Sequence, residues 1–139
     1  MVQVIIGKKG SGKTKMLIEM VNKAAAETKG NVVCIEQDMI LTYDISSSVR
    51  LIEASSYEIK GYDALYGFLA GVMARDYDAT EIFLDGIKKI GGTDMGEMSA
   101  FLEKADKLTT ANNITLVVTV SYDESEVPEG IKKYVVNHN

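Results

Sequence analysis

Several residue types are scarce in this chain, and each scarcity removes a class of chemistry. Cys34 is the single cysteine, so an internal disulfide is excluded; its neighbours Val32, Val33 and Ile35 predict a thiol buried in a strand, as suits a reducing compartment. Histidine occurs once, at His138 beside the end of the sequence, where solvation is its simplest fate. Proline occurs once, at Pro128, and apolar residues make up 46%, so neither a disordered nor a fibrous class fits. Of the 15 basic residues all but Arg50 and Arg75 are lysine. Acidic residues outnumber basic ones, giving a net charge of -5, the wrong sign for a protein whose main work is gripping nucleic acid. No apolar run approaches a membrane span, and neither a basic leader nor a cleavage signal stands at the start, so a cytoplasmic protein is expected.

What is present is an alternation of strands and helices in 139 residues, the size of one domain, 1–139. Residues 2–6 predict a short buried strand and 13–29 a helix, with Met16, Leu17, Met20, Val21, Ala24 and Ala25 at helical spacing and Gly30 as a left-handed stop. Residues 32–36 predict a second strand. Between 37 and 56, Ile40, Leu41 and Tyr43 form one β-like patch and residues 49–54 another, which reads as a hairpin or an edge strand. Residues 62–77 predict a helix in which Gly67 and Gly71 permit close packing on the sheet. A strand over 81–85 then ends on Asp85, Gly86 and Gly91-Gly92 mark a loop, and Asp94 with Glu97 has capping-box spacing for a helix to about Asn112. Residues 114–120 predict a central strand, 121–130 an acidic turn, and 134–136 a last strand. The order predicts an α/β fold of three layers, with a mostly parallel central sheet and helices on both faces.

One stretch organises the rest. Gly7, Lys8, Lys9, Gly10, Ser11, Gly12, Lys13 and Thr14 match the pattern G-x-x-x-x-G-K-[ST] in full, between a predicted strand and a predicted helix. Such a loop curls its amides inward, so that a polyphosphate is held by several N–H donors and by the positive end of the helix. Lys13 would reach the β and γ phosphates and the Thr14 hydroxyl would ligate Mg²⁺, with Asp85 at a neighbouring strand end supporting the metal. Asp85 followed by Gly86 also reads as a strand-terminating turn.

These residues resemble the P-loop NTPase superfamily, with 7–14 similar to its Walker A element and the strand ending in Asp85 similar to its Walker B element. The likeness extends to the RecA-like branch, which carries an extra strand between those two, and to small bacterial ATP-binding proteins sometimes labelled twitching-motility ATPases. The histidine-bearing signatures of a retraction motor are missing, so the motor function is not implied. Under this resemblance the strand 114–120 is the inserted one, and Thr119 or Ser121 occupies the place of a γ-phosphate sensor. The glutamate that commonly follows the Walker B aspartate is replaced by Gly86. Glu36, ending another strand, is the alternative carboxylate for orienting the attacking water, or else a solvated strand end. Arg50 or Arg75 could supply a finger in trans, or sit in a surface ion pair.

The resemblance implies a small protein that binds ATP and Mg²⁺ and hydrolyses ATP slowly or on stimulation by a partner. A nucleotide-dependent interaction module with little turnover is the alternative, and a small-molecule or nucleotide kinase a weaker one, because two arginines cannot furnish an arginine-rich lid. No guanine-reading Asn-Lys-x-Asp is present, which favours adenine. An unidentified protein partner and a homo-oligomer both stay open.

Overall fold

A computed structural model describes residues 1–38 and 44–137. Five strands, β1 (Val2–Ile6), β2 (Asn31–Glu36), β3 (Arg50–Glu53), β4 (Ala79–Asp85) and β5 (Thr115–Val120), form one sheet in the order β1-β5-β4-β2-β3. Every pairing is parallel. The strand over 114–120 therefore lies between β1 and β4, as expected. Parallel neighbours require crossovers, and these are supplied by α1 (Lys13–Glu27), α2 (Tyr62–Arg75), the short α3 (Ile87–Gly91) and α4 (Met95–Ala111).

The strand alternation divides the core in two. Ile5, Val32, Cys34, Phe83 and Val117 point to one face, where Leu17, Val21 and Ala24 of α1 cover them. Val4, Ile6, Val33, Ile35, Ile82, Leu84, Leu116 and Val118 point to the other, beneath Leu65 and Leu69 of α2, Ile87 and Ile90 of α3, and Met98, Phe101 and Leu102 of α4. Fully burying one such side chain is worth roughly 1.5–3 kcal/mol, so these two layers hold the strand ends in place. Among the described residues no helix is long and apolar enough to cross a membrane.

Several local expectations are corrected. Of the two readings of the segment after β2, the edge strand holds and the hairpin does not: β3 runs parallel to β2 at the sheet edge, while Ile40, Leu41 and Tyr43 lie outside the described residues, as does His138. α1 ends at Glu27 with Thr28 extended, and Gly30 is not left-handed. It is required for another reason, since an added Cβ would run into the carbonyl of Asp78 and the methyl of Thr80. Gly67 and Gly71 do not pack on the sheet, because a Cβ at either meets nothing within 4 Å. They line a groove of about 1050 Å³ together with Arg50 and Arg75.

The expected loop after Asp85 contains α3, tied down by the burial of Ile87 and Ile90. The acidic turn beyond β5 holds a 3₁₀ turn, Glu124–Glu126, closed by a capping box between Asp123 and Glu126, and then α5 (Glu129–Lys132). The last strand is reduced to one parallel bridge, Val4 with Val135. Beside it the Asn137 amide pairs with both backbone groups of Ile6 at 2.8 Å, finishing the β1 edge where a further strand would otherwise be needed.

Candidate functional site

In a parallel sheet the carboxyl ends of all strands share one rim, and here that rim carries the residues singled out by motif. β1 ends at Ile6 and the chain enters the loop 7–14 directly, with the Gly7 N–H donating to the Val120 carbonyl at 3.3 Å. A Cβ on Gly7 would collide with the Ser11 side chain, which would have to shift to admit it. Ser11 N–H donates to the Lys8 carbonyl at 3.0 Å. Gly10 and Gly12 have φ of 84° and 92°, backbone that L side chains rarely adopt, and the space where their side chains would stand is empty to 4 Å.

The helix that follows begins without help from its own sequence. Gly12 is the N-cap of α1, no side chain caps it, and its first turn holds no acidic residue. α4 starts differently, with Asp94 accepting the Glu97 N–H at 3.0 Å, and α2, which also lacks a side-chain cap, carries Asp63 in its first turn. The leading amides and positive dipole end of α1 thus face the same exposed space as the glycines. Lys13 rests its ammonium on the Lys8 carbonyl at 3.1 Å. Burial lowers its pKa, Asp85 raises it, and Lys88 and Lys89 lower it again, so all four groups act within one electrostatic neighbourhood. Lys8 is turned to an exposed ion pair with Asp123 at 3.8 Å. Lys9, Ser11 and Thr14 are exposed.

Asp85 ends β4 on the face covered by α1, continuing the row of Phe83. Its carboxylate accepts the Thr119 hydroxyl at 2.7 Å, while that hydroxyl accepts the Gly86 N–H at 2.6 Å. Thr119 is 1% exposed and committed at both its donor and its acceptor. It positions Asp85 and is not a free sensor. Ser121 contributes its carbonyl to Lys88 at 3.2 Å. Glu36 pairs in register with Asp85 on the adjacent strand, and also continues the α1-facing row after Val32 and Cys34. At 3% exposure it is not a solvated strand end. Burial, then the charges of Glu36 and Asp85, push the Cys34 thiol up to about 12, which leaves it protonated and unreactive.

The structure thus brings the loop 7–14, Glu36, Asp85 and Thr119 to one rim. It does not bring the arginines there: Arg50 opens β3 at the amino end of the sheet and lines the groove with Arg75. Lys88 and Lys89 were overlooked. The signal is in the sequence, since two lysines stand three and four residues after a strand-ending aspartate, and the carboxyl ends of parallel strands are where such folds bind ligands. Among the described residues no cluster of three or more histidine, cysteine, aspartate or glutamate side chains could hold a metal. A Mg²⁺ site resting on one hydroxyl, one carboxylate and substrate phosphates is compatible with that, as Mg²⁺ takes few protein ligands beside a nucleotide.

Thr119→Val is expected to cost about 1–3 kcal/mol, because it strands the Gly86 N–H and removes a hydrogen bond from Asp85. Thr119→Ser keeps both contacts and most of the stability. Urea denaturation of the two variants checks this, and equal midpoints for wild type and Thr119→Val would contradict it.

No protein-family model matches the chain, and no curated protein matches it significantly.

Proposed function

We propose that the chain is a RecA-like P-loop ATPase, binding ATP with Mg²⁺ in the loop 7–14 and hydrolysing it slowly or on stimulation by a partner. The observation that carries this reading is the start of α1: a 15-residue helix with no side-chain cap and no acidic residue in its first turn, preceded by two left-handed glycines facing empty space. An anion with several acceptor oxygens satisfies those amides together. The fit continues at the neighbouring strand ends. Lys13 would turn from the Lys8 carbonyl to the β and γ phosphates, Thr14 and Asp85 would hold Mg²⁺, and Glu36 would orient water. Bound Mg²⁺ would neutralise charge on the phosphate oxygens.

The alternative, a nucleotide-dependent interaction module, is favoured by one feature. Gly86 stands where a second carboxylate would be expected, leaving Glu36, on a neighbouring strand, to serve the water. The kinase reading loses support from the placement of both arginines along a groove whose lining includes no residue of the loop 7–14.

Thermal denaturation with ATP, ADP and GTP, each with Mg²⁺, tests the reading. A ligand at a hundred times its Kd adds about 2.7 kcal/mol, which in a domain of this size raises Tm by roughly 8 °C. ATP is expected to give that shift and GTP a much smaller one. No shift with any triphosphate at millimolar concentration would remove the nucleotide site.

A further inference from the structure

The electrostatics of the rim are unusual for an acidic protein. Lys88 and Lys89 both act on Lys13 there, with Asp85 as the opposing charge. α3 explains how the two extra lysines reach this place. Gly86, at φ 69°, turns the chain immediately after Asp85, and Ile87 and Ile90 are only 0% and 3% exposed, so the residues between them are directed away from the core. Lys88 is already engaged: its ammonium donates to the Ser121 carbonyl at 3.2 Å and lies 4.1 Å from the centre of the Tyr122 ring. Lys89 is exposed, and among the described residues its ammonium makes no ion pair or hydrogen bond. Its side chain folds back over Gly86, with Cδ 3.5 Å from where a Cβ of that residue would stand, toward the strand end that bears Asp85.

We propose that Lys89 is a second cationic ligand of the bound triphosphate, supplied in cis from α3 and reaching over Gly86 to the terminal phosphate. This rests on the loop 7–14 being the triphosphate site. A lysine suits the task because its charge is a point on a flexible stem, able to follow a phosphate that departs on hydrolysis. Arginine has no part in it, as Arg50 and Arg75 line the distant groove.

Titration calorimetry of the full chain with ATP–Mg²⁺ and ADP–Mg²⁺ tests the assignment in Lys89→Met, Lys89→Arg, Lys88→Met and Lys13→Ala. Lys89→Met is expected to weaken ATP about tenfold and ADP less than threefold, the loss of one charge-assisted contact confined to the terminal phosphate. Lys89→Arg should restore most of the difference, and the melting temperature of the ligand-free protein should be unchanged, as Lys89 is exposed. Equal effects on ATP and ADP, or no effect on either, would overturn the assignment. If Lys13→Ala abolishes ATP binding while Lys89→Met leaves it intact, only the role of Lys89 falls. If the wild type binds no triphosphate, the nucleotide site and the role of Lys89 fall together.

Discussion

Lys13→Ala is expected to lower ATP affinity and turnover by roughly 10²–10³-fold while leaving the protein folded. The asymmetry follows from where Lys13 sits. Its one hydrogen bond is to the exposed Lys8 carbonyl, so the ligand-free fold loses little when the side chain is removed. The loss in binding is large because an ammonium held near Asp85 at the mouth of the loop would be the main charge opposing the phosphates. The pH dependence has a definite sign. Burial and the neighbouring lysines lower the pKa of Lys13, so it becomes neutral at a lower pH than a solvated lysine, and ATP affinity should decline earlier on the alkaline side. Calorimetric titration from neutral to alkaline pH, with circular-dichroism melts of each variant, separates binding from folding. A Lys13→Ala protein that melts like the wild type and still binds ATP with unchanged affinity would show that phosphate is not held by the loop.

The parts legible from sequence are those where one physical requirement dominates a run of residues. β1, β2, β4 and β5 are apolar runs because parallel strands are buried on both faces, and α1 and α4 declare themselves by a 3.6-residue period, to which α4 adds the Asp94 start signal. The loop 7–14 was legible because backbone curled at Gly10 and Gly12 demands glycine at those places. Less was legible where position depends on distant partners. α3 has five residues, below the length at which periodicity speaks, and exists because Ile87 and Ile90 find the core. The sequence suggests a conformational stop at Gly30, whereas the requirement is close contact with Asp78 and Thr80 at the start of β4. Gly67 and Gly71 have the spacing of packing positions yet face a groove, a distinction that needs the neighbour in view. Thr119 was read by its place at a strand end; only its simultaneous bonds to Asp85 and Gly86 reveal a positioning role.

Glu36→Gln is expected to reduce ATP hydrolysis by about 10²–10⁴-fold, the range for removing a general base, with ATP affinity changed less than threefold. The substitution keeps size and shape, so the difference isolates proton acceptance and charge. Two features place the burden on Glu36. It lies beside Asp85 in register, on the same face of the sheet and at the rim the loop 7–14 shares. It is also only 3% exposed, an expensive location for a carboxylate that served only to end a strand. Gly86 offers no carboxylate next to Asp85, so β2 is the strand that can furnish one. Asp85→Asn gives the necessary contrast: it should weaken the Mg²⁺ dependence of ATP binding, an effect Glu36→Gln should lack. Single-turnover hydrolysis and calorimetry on both variants decide the matter. If the wild type binds ATP without measurable turnover and Glu36→Gln behaves identically, the interaction-module reading prevails and Glu36 has no part in chemistry. If the wild type hydrolyses ATP and Glu36→Gln keeps pace with it, the water is oriented by another group, and the register of β2 against β4 has no catalytic meaning.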